Sequence, residues 1–231
     1  MSKPSWDATA DVVVVGFGGA GACAALEAHD AGARVLVLDR FHGGGATAIS
    51  GGVVYAGGGT PEQLEAGFAD TADAMFAYLR LETAGAVGDE TLRRFCDDSV
   101  DMLGWLKAHG VPFEGSAAPY KTSYPTNEHY LYYSGNELSG PARSVAAPAQ
   151  RGHRAKGKGT SGKAVFGPIE RAMAAYDALP KTATAKEVYG PGETVKLDLE
   201  VNRSEPVDLV VSVYDQSLLG VDRWAAYPSR N

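Results

Sequence analysis

Three glycines, Gly16, Gly18 and Gly21, follow directly on the apolar run Val12 to Val15 and lead into an Ala-rich segment. No other feature limits the fold as tightly. Four consecutive valines read as a strand of a parallel sheet covered on both faces. Gly21 to Ala31 reads as a helix ended by Gly32, and Arg34 to Leu38 as a second buried strand. Gly16 allows the tight turn, Gly18 lets a pyrophosphate approach the backbone, Gly21 lets the helix pack closely on the strand, and Gly19 adds slack. The helix N-terminus contributes N–H donors and a favourable dipole. Asp39 closes the second strand where an acidic side chain accepts hydrogen bonds from a ribose hydroxyl. The expectation is an α/β fold with an ADP-binding, Rossmann-like site. A chance Gly-rich turn in another α/β protein is the competing reading. The strand before, the helix after and the acid beyond argue against it.

The remaining composition narrows the function classes. A net charge of -7 opposes broad nucleic-acid binding, which relies on clustered Lys and Arg to release counterions. Cys23 and Cys96 are the only cysteines, so no disulfide framework is expected and a reducing compartment fits. Met1 to Ala10 has no apolar core of a signal peptide, and no stretch approaches the roughly 20 apolar residues of a membrane span. The expectation is a cytoplasmic protein that engages no membrane. His29, His42, His109, His129 and His153 lack metal-ligand spacing, so no metal is expected. No nucleophile elbow appears. Gly157, Gly162 and Lys163 nearly spell a phosphate loop, but Ala164 stands where a metal-binding hydroxyl belongs and no strand is expected before it.

Residues 40 to 59 read as a loop too Gly-rich for a packed element. Thr60, Pro61 and Gln63 spell N-cap, N1 and N3 of a capping box opening a helix that runs to about Arg80. A second helix is expected from Asp89 to Ala108, with Leu92, Phe95, Val100, Leu103 and Leu106 on one stripe and Gly110 as its stop. From Val111 to Gln150 the chain reads as a long ordered excursion over a binding cleft, contributing little core. Arg151, Arg154, Lys156 and Lys158 read as a solvated basic loop. Lys163 to Ala178 restores helical spacing through Val165, Ile169, Met173 and Tyr176.

The loop after Asp39 carries Gly44-Gly45-Ala46-Thr47, Ser50-Gly51-Gly52 and Gly57-Gly58-Gly59-Thr60. Further on come Trp105-Leu106, Gly110-Val111-Pro112-Phe113, Tyr133-Ser134-Gly135-Asn136-Glu137, Arg151-Gly152-His153-Arg154 and Gly162-Lys163. In order and spacing these motifs resemble the flavoprotein family of fumarate reductases and 3-ketosteroid dehydrogenases, over roughly residues 10 to 178. The ribose acid in such flavoproteins is commonly Glu, and Asp39 is one methylene shorter. The resemblance implies FAD as cofactor, held by Gly16, Gly18, Gly19, Ala20, Gly21, Asp39, Arg40, Gly44, Gly45, Thr47, Ser50, Gly51 and Gly52. It also implies dehydrogenation beside an activating carbonyl, a hydride passing to the flavin and a proton to a base. Tyr120, Tyr124, Tyr130, Tyr132 and Tyr133 are candidates for lining the cleft of an apolar small-molecule substrate such as a ketosteroid. Ordinary loop packing is the alternative. The catalytic tyrosines of the ketosteroid branch lie in a portion of the family pattern not found here, so no catalytic residue is assigned.

Beyond Leu179-Pro180 the pattern changes to period two. Val195, Leu197, Leu199 and Val201 alternate with Lys196, Asp198 and Glu200, and Leu209, Val211 and Val213 follow. Tyr189-Gly190-Pro191-Gly192-Glu193-Thr194-Val195 and Val211 to Leu219 resemble a macroglobulin-type β-sandwich segment of the alpha-2-macroglobulin family, over residues 186 to 221, without that family's thioester Cys-Gly-Glu-Gln. The expected division is an FAD-binding unit over residues 1 to 180 and a short antiparallel β segment over 181 to 231. The expected whole is an incomplete Rossmann-like domain with a helical and loop excursion, lacking its catalytic half. The alternatives are a β-rich interaction module or an artificial fusion without catalysis. Exposed β edges would favour self-association.

Overall fold

The computed structural model describes residues 9–39 and 43–175. In chain order the elements are β1 (Val12–Val15), α1 (Gly19–Asp30), β2 (Val35–Leu38), α2 (Gly45–Ile49), β3 (Val53–Tyr55), α3 (Pro61–Glu65) and α4 (Ala72–Thr83). There follow α5 (Asp89–Asp97), α6 (Ser99–Ala108), β4 (Leu131–Tyr132), α7 (Gly140–Val145), β5 (Gly152–Arg154) and α8 (Gly162–Ala175). The alternating antiparallel residues expected beyond 180, their macroglobulin-like motifs and Arg40 all lie outside the described residues.

β1 and β2 pair in parallel, Val12 opposite Val35 and Val15 opposite Leu38, with α1 as the crossover. This is the arrangement read from the glycines. Side chains alternate across a strand, and Val14, Val35 and Val37 pack against the core with Ala22, Ala25 and Leu26 of α1. The same cluster takes in Leu106 of α6, Val111, and Val165, Phe166, Ile169 and Met173 of α8. Burial of each large side chain there contributes about 1.5–3 kcal/mol. The expectation of strands covered on both faces is corrected, since Val12 to Val15 are all half-buried. Among the described residues the parallel sheet has two strands, and Val13, Val15, Leu36 and Leu38 alternate onto the face away from that cluster.

A second sheet was not foreseen. β3, β5 and β4 form an antiparallel sheet in that spatial order, with Val53 opposite Arg154 and Leu131 opposite His153. Residues 40–59 therefore hold two packed elements, α2 and β3, because their glycines serve close approach rather than slack. A Cβ on Gly52 would sit 2.4 Å from the Ser161 carbonyl carbon, and Gly52 has φ of 68°.

The helix from Thr60 does not reach Arg80. Its capping box is formed as expected, the Thr60 side chain accepting from Gln63 N and the Gln63 side chain from Thr60 N. Gly67, at φ 83°, then turns the chain, and Thr71 caps α4 anew. The Asp89–Ala108 helix breaks at Asp98 into α5 and α6, and Phe95 is exposed rather than on the buried stripe. The 111–150 excursion contributes core through Val111, Ala118, Leu131 and Tyr132. No helix of the described residues is long and apolar enough to cross a membrane.

Candidate cofactor site

Gly16 leaves β1 with φ 98°, a conformation that glycine tolerates and L side chains rarely adopt, and its N–H donates to Leu38 O at 2.7 Å. The turn is thus tied to the end of β2. Gly21 faces it from α1. A Cβ there would lie 1.9 Å from Gly16 O and 3.3 Å from Val14 Cγ1. Only glycine lets this helix start so close to the strand. Gly18 is different, since its φ is -87° and a Cβ on it would meet no atom within 4 Å. Protein packing gives no reason for glycine at 18. A ligand that needs the backbone at close range does.

The second glycine loop is docked on the first. Gly44 N donates to Phe17 O at 2.7 Å, and Gly19 N donates to Thr47 Oγ1 at 3.1 Å. A Cβ on Gly45 would approach Gly18 Cα at 3.4 Å, and one on Gly19 would meet Thr47 Oγ1 at 2.6 Å. Phe17 anchors the pair from below. It is buried, meets Phe166 edge-on with centroids 5.4 Å apart, and would clash with any side chain at Gly43. Asp39 accepts from Phe17 N at 2.5 Å, so the carboxylate expected near the ribose also fixes the glycine turn. Ala20 lies exposed in the first turn of α1. The N–H groups of Ala20 and Gly21 point out of that helix end, where an α-helix leaves them without intrahelical partners.

Of the residues read as cofactor-binding, Gly16, Gly18, Gly19, Ala20, Gly21, Asp39, Gly44, Gly45 and Thr47 are brought together here. Ser50, Gly51 and Gly52 continue from α2 along a cleft of about 290 Å³ lined by Ala46, Thr47, Ser50, Gly52, Val53, Val54 and Val165. Ser50 Oγ donates to Thr47 O at 2.8 Å and accepts from Gly52 N at 3.1 Å. Gly51 and Gly52 are required by protein contacts, with Tyr124 and Ser161 respectively. Gly162 starts α8 against the same segment, its N–H donating to Ser50 O at 3.0 Å. The near phosphate-loop is thereby explained. A strand, β5, does precede it, but it is antiparallel, and Gly162 is glycine because a Cβ would lie 2.2 Å from Thr47 O.

The basic run divides. Lys156 and Lys158 are exposed as expected, whereas Arg151 and Arg154 are buried in and beside β5. Arg151 pairs with Asp70 through Nε–Oδ2 at 2.8 Å and Nη2–Oδ1 at 2.7 Å, both side chains being about 1% exposed. Asp70 also accepts from Gly58 N and Gln63 Nε2. Although burial opposes ionisation, the Arg151 guanidinium and these donors hold the Asp70 carboxyl below the usual carboxylate range. His153 Nδ1 faces Arg151 O at 3.1 Å, which can only accept, so Nδ1 carries the proton and Nε2 accepts from Thr60 Oγ1 at 2.8 Å. Burial pushes the His153 pKa down. This network pins the Gly57–Thr60 loop.

Beside it lies a second buried group that sequence reasoning missed. Glu137 accepts from Gly135 N and from Tyr55 Oη at 3.3 Å, and burial raises its pKa. Tyr55 is raised by burial and by Glu137, and Tyr78, whose hydroxyl accepts from Asn136 N at 2.7 Å, is pushed up to about 12. The five candidate tyrosines do not line one cleft. Tyr130 and Tyr132 are buried in packing, Tyr120 is exposed, Tyr133 meets Phe68, and Tyr124 alone reaches the Ser50–Gly52 segment.

A model of the FAD binding domain family matches residues 11–189. The chain belongs to that family. Its residues fit FAD on the structure's own terms, in the open backbone at Gly18 and the two loops joined through Phe17. This FAD-binding chain is 48% identical over 176 residues to 3-oxo-5-alpha-steroid 4-dehydrogenase of Comamonas testosteroni, covering 75% of the chain and 33% of that protein. It is 34% identical over 115 residues to digoxin reductase of Eggerthella lenta, covering 48% and 20%. Among solved structures, 3-ketosteroid-delta4-(5alpha)-dehydrogenase from Rhodococcus jostii RHA1, in complex with 4-androstene-3,17-dione, superposes with a TM-score of 0.70 at 40% identity, covering 74% of the chain and 37% of that protein. The open conformation of a flavocytochrome c3 fumarate reductase gives a TM-score of 0.58 at 25% identity, covering 73% and 26%. The chain therefore spans about a third of the length of the steroid dehydrogenases it matches.

Proposed function

We propose that this chain is the N-terminal cofactor-holding portion of an FAD-dependent dehydrogenase acting on a 3-keto steroid or a similarly carbonyl-activated apolar substrate. The observation that carries the reading is Gly18, a glycine with an ordinary φ and no atom to meet its Cβ, set where two glycine loops converge at the start of α1. Gly16, Gly18, Gly19, Ala20 and Gly21 offer backbone to the pyrophosphate. Asp39 and Arg40 serve the ribose end, and Gly44, Gly45, Thr47, Ser50, Gly51 and Gly52 the continuation toward the flavin ring. The substrate assignment follows from the steroid dehydrogenase relatives. FAD, when bound, accepts two electrons from a C–H next to a carbonyl. The residues described supply binding and orientation. No proton-transfer role is assigned to any of them, in keeping with a chain that spans a third of its relatives.

The test is direct. Titrating the purified chain with FAD should quench flavin fluorescence, and FAD at 100 times its Kd should stabilise the fold by about 2.7 kcal/mol. A chain whose Tm does not respond to FAD would refute the reading. The proposal keeps a division near residue 180, with a macroglobulin-like β segment after it and a cytoplasmic setting. Limited proteolysis should release an FAD-binding fragment ending near residue 180, and protection of that region against cleavage would oppose the division.

A further inference from the structure

We infer that Arg154 is a positioning residue for the cofactor, acting through Tyr124 on the Ser50–Gly52 segment so that the cleft favours the reduced, negatively charged flavin over the oxidised one. The inference rests on the FAD reading above.

Arg154 is fully buried, and each of its three nitrogens donates to neutral groups. Nε donates to Tyr124 Oη at 2.8 Å, Nη1 to Thr126 O at 2.8 Å, and Nη2 to Asn127 Oδ1 at 2.8 Å, Gly157 O at 3.0 Å and Gly159 O at 2.7 Å. Among the described residues no carboxylate forms an ion pair with it, in contrast to Arg151, which Asp70 neutralises. A guanidinium does not lose its proton in a protein. Its charge is therefore enclosed and only partly offset by carbonyl dipoles, and it raises the potential of its surroundings.

Hydrogen bonds carry that polarity toward the cleft. Tyr124 Oη accepts from Arg154 and lies 2.7 Å from Gly51 O and 3.0 Å from Gly159 O, and its one proton goes to the nearer, Gly51 O. The next N–H of the same peptide, on Gly52, donates to Ser50 Oγ, which donates to Thr47 O. Every donor in this run points away from the guanidinium, so each bond strengthens the next. Thr47, Ser50 and Gly52 line the cleft, as does Val53, the residue opposite Arg154 in the β3–β5 register. Residues directly opposite in an antiparallel pair share a face of the sheet, so the guanidinium lies on the same side of β3 as the Val53 side chain. Reduction of bound FAD by two electrons and one proton would add one negative charge, which this polarity of the Arg154–Tyr124 relay would favour.

The experiment compares the parent chain with Tyr124→Phe, Arg154→Lys and Arg154→Met by reductive titration of bound FAD with dithionite against a reference dye, with Tm measured alongside. Tyr124→Phe removes one hydroxyl and should cut the preference for reduced over oxidised FAD about tenfold, about 30 mV in a two-electron midpoint. Arg154→Met should lose at least as much, and Arg154→Lys, which keeps the charge, should stay within threefold of the parent. If Arg154→Met does not fold, Tyr124→Phe decides alone. A midpoint for Tyr124→Phe within threefold of the parent, with FAD bound and Tm unchanged, overturns the inference and leaves the FAD reading intact. A parent chain that binds no FAD overturns both.

Discussion

Gly18→Ala and Gly21→Ala, two identical substitutions three residues apart, should separate binding from folding. At Gly21 the added Cβ lies 1.9 Å from Gly16 O, where ordinary contact begins near 3.4 Å. Both groups are backbone, so α1 must retreat by roughly 1.5 Å, a strain of about 1–3 kcal/mol by the usual penalty for overpacking. The helix propensity of alanine over glycine offsets about 0.8–1 kcal/mol of this. The net loss, up to about 2 kcal/mol, lowers Tm by up to about 8 °C in a chain of this size. At Gly18 the added Cβ meets no protein atom and the backbone already lies in the extended region. The gain of about 0.4–1 kcal/mol through the unfolded chain is offset by the loss of a glycine N-cap on α1, so stability without FAD should change by less than about 1 kcal/mol, while a pyrophosphate held against that backbone is displaced. The same 1–3 kcal/mol of crowding now falls on the ligand, roughly a 5- to 160-fold weaker Kd. Thermal unfolding with and without FAD, together with fluorescence titration, reads both quantities. If Gly18→Ala binds FAD as the parent does, the pyrophosphate does not approach there. If it lowers Tm as far as Gly21→Ala does, the glycine serves packing after all.

Two further outcomes follow from the buried Asp70–Arg151–His153 network. Asp70→Ala strands the Arg151 guanidinium at about 1% exposure and removes the acceptor of Gly58 N, so the chain should lose about 3–5 kcal/mol in urea unfolding. A loss below about 1 kcal/mol would mean that the pair contributes little. His153 titrates below its ordinary value in the folded chain, so as pH falls through about 6.5 the unfolded chain takes up its proton first. Stability should decline from pH 7 toward pH 5, and His153→Gln should flatten that slope. Equal slopes in the two proteins would remove His153 as the source.

Gly16, Gly21 and the valines before them made the βαβ unit legible, because each answers a local requirement of turn, close approach or strand. The Thr60–Gln63 capping box was legible for the same reason. What escaped reading depends on partners far along the chain. β3 hides among glycines because its pairing partner, β5, lies about a hundred residues later, and Arg151 looks solvated until Asp70 is found 81 residues away. Phe17, which joins the two glycine loops, gave no signal, since one aromatic within a glycine motif has no period to betray it. Tyr124 was noticed for its face and matters here for its hydroxyl. The half-exposed valines of β1 show the reverse, a pattern read for a wider sheet than the two parallel strands described.

The register of Val53 on Arg154 sets an order of events on the ribosome. The β1–α1–β2 unit is complete once Leu38 has emerged, and its ladder spans only 23 residues, from Val12 to Val35. β3 then waits for about a hundred more residues, which at about 5–20 residues per second is roughly 5–20 s. Throughout that interval the cleft has no rear wall, and an unpaired Val-Val-Tyr strand stands next to a nearly finished glycine cradle. Cofactor arriving early meets the cradle first, and the antiparallel sheet and then α8 close on it afterwards.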